Sequence, residues 1–370
     1  MKILCECNKL TEAVSAVSRA VSGRSSLSVL EGIYISAEAN GTVTLIGNDL
    51  EIGIEAKIEA SVSQPGEVVL NAKILGSIVR SLPADQVLIE VDENNLALIK
   101  SGNARFEISG IPADDFPELP TVESDYSIGI PSNILKDMIS KTIFAVAITD
   151  NNPILTGCLL EIEKTGLTMV ALDGYRMAIR KAQLDNDFEE KKMIIPEKSL
   201  SELSRILDDS DKEIKINATN RHAIFMFDNY RMVTRLIEGN YINYKSVIPS
   251  DYDIEIECSA AKMSQSIQRA SLIIINDMVK SPVKFLIEDG NINISCTTTA
   301  GSVNDNIPVN IKDAALEIGF YNRYLLEAFR VIDTEDVKMR FKSAVSPLVI
   351  VPTEGDDYLY LILPLRLKAE

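Results

Sequence analysis

The sequence has few of the residues and motifs on which catalysis and metal binding usually depend. It contains one histidine, His222, in a segment that alternates like a strand. No glycine-rich phosphate loop and no Gly-x-Ser-x-Gly elbow occurs. Two acidic pairs, Asp114-Asp115 and Asp356-Asp357, lie in turn-like segments, where solvated carboxylates are expected. The sequence therefore predicts no catalytic residues, no metal site and no cofactor.

Cysteines and long apolar runs are also scarce. The five cysteines are an odd number without a Cys-x-x-Cys pair, which is typical of a reducing compartment. Cys5 and Cys7 are two residues apart, so we expect them on one face of a strand as buried, inert thiols. No apolar run approaches the ~20 residues that span a bilayer, and no signal peptide is recognised at the N-terminus. These features predict a cytoplasmic protein.

Acidic residues outnumber basic residues, 54 against 37, which gives a net charge of −17. Taken alone, this excess disfavours nucleic acid as a partner. The chain of 370 residues is 46% apolar and 25% charged, which is ordinary for a globular protein of two or three domains.

Three stretches, 68–82, 193–207 and 318–332, each read as a short apolar strand that leads into a helix. Aligned without gaps, they place basic residues in two columns 125 residues apart along the chain: Lys73, Lys198 and Arg323, then Arg80, Arg205 and Arg330. A period of this length indicates repeated whole domains rather than solenoid repeats. We expect three domains, at 1–125, 126–250 and 251–370.

Each third shows the same order of helical and alternating segments. The pattern predicts two helices and about eight strands per domain, with Asn40-Gly41 as a type I′ hairpin turn. Because each helix must bury one face against a sheet, the expected fold is a two-layer α+β domain repeated three times.

Basic residues concentrate on the predicted helices, at 8–24, 72–81, 131–142, 196–207, 260–275 and 321–331. These segments carry a net charge of +8 and the rest of the chain −25. The two columns are seven residues apart, hence on one helical face. Two interpretations remain open: ordinary solvated helix faces, or a basic lining that meets phosphates without reading bases.

Five motifs spread along the chain carry a resemblance: GNDLEI (47–52), IPADDFP (111–117), ALDGYRM (171–177), the stretch 244–249 and LILPLRL (361–367). In this order the sequence closely resembles the bacterial sliding clamp family, the beta subunit of DNA polymerase III. The resemblance implies a head-to-tail homodimeric ring of six domains, with the helices lining a hole around duplex DNA. Twelve helices about 9 Å apart make a wall roughly 110 Å around and about 35 Å across. One helix diameter of ~10 Å leaves an opening of about 25 Å.

The resemblance also implies sites. Partner proteins, among them the replicative polymerase and the clamp loader, insert a short apolar and aromatic peptide into a pocket between the second and third domains. The matching positions are Leu155, Leu172, Gly174, Tyr175, Arg176, Met177, Val247, Leu361, Ile362, Leu363, Pro364, Leu365 and Arg366. A terminal apolar run is also typical of a core strand, and one strand can serve both roles. Tyr175, Tyr241-Ile242 and Ser246 depart from common family residues, which bears on peptide preference.

For the dimer contact, the resemblance implies an edge strand of the first domain against the third domain of the partner. The residues are Lys73, Arg105, Phe106 and Ile108 on one side and Leu272 and Ile273 on the other, with Asp305 as an acidic candidate. DNA contacts implied or inferred are Arg24, Lys73, Arg80, Lys198, Arg205, Arg323 and Arg330, and loop 149–154 lies where the family touches the template. The sequence leaves two alternatives, a ring-shaped scaffold without nucleic acid and an enzyme with a site in an inter-domain cleft.

Overall fold

The structure is a computed structural model, and it describes residues 1–121, 127–149, 152–184, 188–274, 281–288, 290–311 and 314–367. These residues form six helices: α1 (Cys7–Val17), α2 (Ala72–Val79), α3 (Ser132–Ser140), α4 (Glu197–Ile206), α5 (Ala260–Ser271) and α6 (Asn322–Arg330).

The described residues also form 25 strands. In the first third these are β1 (Lys2–Glu6), β2 (Gly32–Ala37), β3 (Thr42–Asn48), β4 (Ile52–Glu59), β5 (Ser61–Gln64), β6 (Gly66–Asn71), β7 (Gln86–Val91), β8 (Leu96–Ser101) and β9 (Ala104–Ser109). In the second they are β10 (Ser127–Pro131), β11 (Gly157–Glu163), β12 (Gly166–Leu172), β13 (Arg176–Gln183), β14 (Lys191–Pro196), β15 (Glu213–Ala218), β16 (His222–Phe227) and β17 (Tyr230–Arg235). In the last they are β18 (Ile254–Ser259), β19 (Val283–Glu288), β20 (Asn291–Thr298), β21 (Gly301–Pro308), β22 (Leu316–Phe320), β23 (Asp336–Phe341), β24 (Leu348–Pro352) and β25 (Tyr358–Ile362).

The order of elements repeats three times. Each third runs strand, helix, four strands, helix, three strands, and only the first third inserts an extra strand, β5. The predicted repeat of two helices and about eight strands is therefore confirmed as an α+β domain in three copies.

The strands pair antiparallel in four sheets. Two sheets have eight strands, in the orders β10-β15-β16-β17-β4-β3-β2-β6 and β14-β11-β12-β13-β25-β24-β23-β18. Two are smaller, in the orders β5-β1-β7-β8-β9 and β21-β20-β19-β22. Each eight-stranded sheet combines four strands of the second third with four from another third, so strand pairing joins the repeats.

The chain packs as two compact units. The first comprises Met1–Leu135 and Lys198–Leu236, and the second comprises Lys136–Glu197 and Ile237–Glu370. Each unit holds one eight-stranded sheet and one smaller sheet. The residues of the second repeat are thus divided between the two units.

Four local expectations were wrong. Helix α5, predicted over 260–275, ends at Ser271, and Leu272 is its C-cap residue. Helix α1 ends at Val17, a 3-10 turn follows at Ser18–Ala20, and Val21 is extended, so Arg24 lies in a loop. The Ser- and Gly-rich segment 22–26 explains this end, since these residues favour turns over helix interiors. Cys7 begins α1 rather than sharing a strand face with Cys5. At Asn40-Gly41 only Gly41 has a positive φ, +92°, whereas a type I′ turn requires two.

The cores of the domains are apolar and contain the thiols. All five cysteines are free and buried, which confirms the burial predicted for Cys5 and Cys7. Burial, with a contribution from Cys7 and then Glu6, raises the pKa of the Cys5 thiol to about 12. Among the described residues, no helix is long and apolar enough to cross a membrane, and no cluster of three or more His, Cys, Asp or Glu side chains has the arrangement of a metal site.

Candidate functional site

The two basic columns lie on exposed helix faces. Lys73, Lys198 and Arg323 occupy the first turns of α2, α4 and α6, and all three are exposed. Arg80, Arg205 and Arg330, two turns later, are exposed as well. Buried leucines at the matching position of each helix, Leu75, Leu200 and Leu325, hold the opposite faces in the cores. The spacing therefore places both columns on the solvent side of their helices.

In the first unit, three arginines from different helices meet at one open depression of about 510 Å³. They are Arg19, which follows α1, Arg80 at the end of α2, and Arg205 on α4. One carboxylate, Glu202, lies among them and pairs with Arg19 at 3.0 Å and with Arg205 at 2.6 Å. Three cations against one anion leave an electropositive surface, which we call the arginine cluster.

Several other helix cations are neutralised within the chain. Lys198 pairs with Asp49, and Arg323 pairs with Glu327 at 2.9 Å between Nε and Oε1. Lys141, counted as a basic residue of α3, is buried between Asp137 at 2.8 Å and Asp333 at 2.7 Å. Lys141 therefore adds no exposed charge. Its hydrogen bond to Asp333 is also the largest of the effects that lower the pKa of that carboxyl.

In the second unit, a row of apolar side chains crosses four neighbouring strands. Leu172 on β12 lies opposite Met177 on β13, Met177 opposite Leu361 on β25, and Leu361 opposite Val349 on β24. Directly paired residues point to the same face of a sheet. Leu155, from the 3-10 turn Pro153–Thr156 that precedes β11, packs into the same cluster. We call Leu155, Leu172, Met177, Val349 and Leu361 the apolar patch.

The linker after the second repeat lies over this face. Tyr244 belongs to the buried cluster, and Tyr241 and Ile248 pack against it. The Tyr244 hydroxyl donates to Glu161, which is buried and also accepts from Lys192. Burial alone would raise the pKa of Glu161, but the hydrogen bonds from Lys192 and Tyr244 outweigh burial and lower it.

Exposed apolar side chains occur close in sequence to patch residues and in the linker that lies over this face. Tyr175, Ile242, Val247 and Leu363 are all exposed, by 59%, 42%, 56% and 38%. Gly174 precedes Tyr175 with φ +87°, a conformation that favours glycine. Large exposed apolar side chains beside a buried apolar row are typical of a site that another molecule covers.

Arg176 is placed beneath the surface rather than at the rim of the patch. Its side chain is only 4% exposed, and its guanidinium donates to Asp173, to Glu327 and to the Phe144 carbonyl. It also lies 4.6 Å from the ring centroid of Tyr324, and that ring stacks on Tyr175 at 6.4 Å. Arg176 therefore supports Tyr175 from below. Glu327 holds both Arg176 and Arg323, so one carboxylate on α6 joins the patch to the basic helix face.

The C-terminal residues pass from one sheet to the other within the second unit. Strand β25 ends at Ile362, which is buried opposite Arg176. The Leu363 amide then donates to the Tyr175 carbonyl at 2.8 Å, and the Leu365 amide donates to the Gly319 carbonyl on β22, also at 2.8 Å. Pro364 and Leu365 are half-buried, and Arg366 is exposed.

The residues expected at the dimer contact lie on or beside two sheet edges. Phe106 and Ile108 share one half-buried face of β9, the last strand of the five-stranded sheet. Leu272, directly after α5, is 79% exposed, and Ile273 is half-buried. Helix α5 packs on β21, the last strand of the four-stranded sheet. Arg105 pairs with Glu107 on its own strand.

Asp305 on β21 is already held within the chain. It accepts from Ser266 at 2.8 Å and from the Arg269 Nε at 2.8 Å. These two hydrogen bonds lower the pKa of Asp305, that from Ser266 most. Arg24 lies in an exposed loop, as described above. Of loop 149–154, residues 150–151 lie outside the described residues.

Models of three protein-family domains match the chain in succession. They are the N-terminal, central and C-terminal domains of the DNA polymerase III beta subunit, and they match residues 1–120, 129–243 and 245–366. The chain belongs to the DNA polymerase III beta sliding clamp family.

Individual members of the sliding clamp family match over their whole length. The beta sliding clamp of Bacillus subtilis is 35% identical over 99% of this chain and 100% of its own, and that of Halalkalibacterium halodurans is 34% identical over 95% and 96%. The crystal structure of the B. subtilis clamp has a TM-score of 0.95 at 35% identity and full coverage of both chains. A Pseudomonas aeruginosa clamp bound to griselimycin has a TM-score of 0.93 at 27% identity, over 99% of this chain and 100% of its own.

Membership of the sliding clamp family confirms the main functional prediction, a processivity factor of DNA replication without catalytic activity. It favours the clamp over the scaffold and enzyme alternatives.

Sequence reasoning missed some of the neighbours that complete these clamp surfaces. Arg19 was counted as a helix charge but was not linked with Arg80 and Arg205, because only the packing of three helices brings them together. Val349 lies in a continuous apolar strand, LVIVP, in which apolar and polar residues do not alternate. The sequence therefore does not show which face of this strand carries the apolar patch. Glu327 was read as one charge on α6, and nothing local indicated its second partner, Arg176.

Proposed function

We propose that this chain forms a head-to-tail homodimeric ring that encircles duplex DNA and tethers replication proteins to it. The three domains are taken as 1–125, 126–250 and 251–370, and the cytoplasm as the site of action. The observation that carries the proposal is that, among the residues that the structure describes, the threefold repeat leaves two matching strand edges unpaired.

Strand pairing joins successive repeats in the same way twice. Strand β4 pairs with β17 between the first and second repeats, and β13 pairs with β25 between the second and third. In the repeated order of elements, β4, β13 and β21 are equivalent, and so are β9, β17 and β25. Strands β21 and β9 are the members left at sheet ends. Pairing β21 of one protomer with β9 of another continues the repeat and removes both edges.

This pairing accounts for the half-buried and exposed apolar residues near both edges. Phe106 and Ile108 on β9 would face Leu272 and Ile273 beside β21, and burial of such side chains is the main driving force for association. Lys73 and Arg105 would lie at the margin of the interface. With two copies, each supplying one β9 and one β21, a closed dimer pairs every β9 edge and every β21 edge.

The basic helix faces suit a duplex that slides through the ring. Lys73, Arg80, Lys198, Arg205, Arg323 and Arg330 repeat with the domains, and Arg24 adds a loop contact. Lysine and arginine contacts to phosphates carry no sequence information, so they allow movement along the duplex. The acidic remainder of the chain repels DNA from the outer surface.

The apolar patch suits the peptide by which the polymerase, the clamp loader and other partners would be tethered. Leu155, Leu172, Met177 and Leu361 form its floor, and Tyr175, Val247 and Leu363 stand exposed around it. A buried apolar floor with a few polar groups at its rim is the usual anatomy of a peptide anchor site.

The proposal is tested by the topology of DNA retention. The chain is loaded by its clamp loader on a nicked circular plasmid, and the fraction that co-elutes with DNA in gel filtration is measured at high salt. We expect retention on the circle and loss after the plasmid is linearised. Equal loss from circular and linear DNA would refute encirclement.

A further inference from the structure

A second cavity lies on the same sheet face as the apolar patch. It has a volume of about 520 Å³ and is bounded by β12, β13, β23, β24 and β25 together with the 3-10 turn Tyr244–Val247. We call it the charged cavity, because its lining includes four cations, Lys181, Lys245, Lys338 and Arg340, and two carboxylates, Glu163 and Asp356.

The charged cavity is continuous with the apolar patch. Met177, Ile179 and Lys181 alternate along β13 and therefore point to one face. Ile179, Leu359 and Tyr244 belong both to the cavity lining and to the hydrophobic cluster that contains the patch. Four residues of strand, at about 3.3 Å each, put Lys181 about 13 Å from Met177. A peptide anchored on the patch can reach the cavity with about four extended residues.

The two carboxylates lie at the exposed margin of the cavity and form only weak ion pairs with its lysines. Asp356 is 77% exposed where it pairs with Lys181, and Glu163 is 56% exposed where it lies 3.9 Å from Lys245. Exposed ion pairs of this kind contribute little to stability, so an incoming carboxylate can replace Asp356 or Glu163.

Lys338 is half-buried, and it lacks a carboxylate partner in the part of the chain that the structure describes. Its ammonium donates to the Thr353 carbonyl at 2.8 Å. A carbonyl oxygen carries no net charge, so this hydrogen bond brings no compensating negative charge to the Lys338 ammonium. Arg340 is already paired with Glu255, at 2.6 Å between Nε and Oε2. In a chain of net charge −17, Lys338 together with the weakly paired Lys181 and Lys245 is still a local exception that attracts an anion.

We propose that the charged cavity binds carboxylate side chains that flank the anchor residues of a partner's clamp-binding peptide. This inference rests on the proposed peptide site and adds a specificity element to it. The apolar wall of Ile179 and Leu359 favours a peptide over a free anion, since it accepts the methylene groups of a Glu side chain. The carboxylate then receives a charge-assisted hydrogen bond from Lys338.

Paired fluorescent peptides test the inference by anisotropy with the full chain. Each peptide carries a leucine and a phenylalanine as anchors. A triplet of Glu residues, or of Gln residues in the paired peptide, is centred four positions either before or after the anchors. We expect the Glu peptide of one orientation to bind about three- to tenfold more tightly than its Gln partner. The advantage should shrink as salt is raised from 0.05 to about 0.5 M.

Lys338→Gln should abolish that advantage and leave the affinity of the Gln peptide unchanged, which also shows that the variant folds. Lys245→Gln, at an exposed position, should reduce it in part. Lys284→Gln, on β19 of the other sheet, is the matched control and should retain it. Equal binding of Glu and Gln peptides in both orientations, or an advantage that survives Lys338→Gln, would refute carboxylate binding by the charged cavity. Neither result would contradict the peptide site itself. Failure of all peptides to bind would overturn the peptide site together with the charged cavity.

Discussion

Single charged side chains set how strongly each surface attracts its partner. Glu202 is the clearest case, because it is the one carboxylate in the arginine cluster and it pairs with both Arg19 and Arg205. A phosphate that binds there must displace it. Nothing in the spacing of Glu202 along α4 distinguishes it from an ordinary solvated glutamate, so its role is visible only in the packed structure.

We predict that Glu202→Gln strengthens DNA binding about two- to threefold at low salt, since it frees two arginines at partly exposed sites. The measurement is anisotropy of a labelled short duplex across a salt series. Glu93→Gln, in the turn between β7 and β8, makes the same charge change elsewhere and should have a smaller effect. Weaker binding by Glu202→Gln would show that Glu202 positions the arginines rather than competing for them.

Glu161 predicts a pH dependence in the second unit. Its pKa is lowered in the folded chain by Lys192 and Tyr244, against the opposing effect of burial. The stabilisation is therefore fully present above the unfolded pKa of about 4.3 and is lost as pH falls through the lower folded value. Urea unfolding should show Glu161→Gln less stable than the parent chain at pH 7, with the difference shrinking as pH falls below the unfolded pKa of about 4.3.

Glu257→Gln, an exposed substitution on β18, is the control for that series and should leave stability unchanged at both values of pH. A Glu161→Gln deficit that stays constant with pH would mean that packing, rather than the charge of Glu161, holds Tyr244 over the sheet.

The two candidate surfaces, the basic helix faces and the apolar patch, are built from helices and strands that recur in each repeat. The helix positions could be predicted to within about two residues at most ends, because the strand that enters each helix and the buried leucine column are local signals. The end of α1 was predicted wrongly, since Ala20 and Val21 continue the apolar spacing of the helix whereas the Ser and Gly residues of segment 22–26 break it.

We predict that Lys73→Glu with Arg80→Glu on α2 lowers DNA retention at physiological salt. The pair reverses two exposed charges on the proposed inner face and leaves the buried side of α2 unaltered. Lys57→Glu with Lys164→Glu, at exposed positions on β4 and in the β11–β12 turn, is the matched control. Retention equal to that of the control, with both variants folded by thermal melting, would contradict a basic lining.

The C-terminal segment yields a separate prediction. Removing the chain from Leu363 onward deletes the exposed Leu363 and the hydrogen bonds to Tyr175 and Gly319. We expect peptide binding to fall much more than dimerisation, because the segment lies beside the apolar patch and not on β9 or β21. Calorimetry with an anchor peptide and sedimentation equilibrium would compare the two. Equal losses would show that the segment is mainly a structural strand.

At the scale of the whole molecule, the repeat was visible in the sequence, but the strand pairs that join one repeat to the next were not. The 125-residue period of the basic columns predicts three domains. It does not reveal that the second repeat contributes to both compact units through β10–β17. Strand pairing between repeats joins residues that are far apart in the chain, such as Arg176 and Ile362. The alternation of apolar and polar residues is alike in every strand, so it does not show which strands pair. The apolar patch follows from one such joint and was reached from sequence only through family resemblance.

The most direct measurement of the central claim is covalent capture of the protomer joint. A cysteine at Glu107 on β9 is combined in turn with one at Asn304 or Asn306 on β21, all exposed positions, and the chain is oxidised and run on a denaturing gel. The five native thiols are buried and should stay out of the reaction. The account predicts a single product of two 40.7 kDa chains linked at both joints. A ladder of longer multimers, or no cross-link with either pair, would contradict a closed dimeric ring.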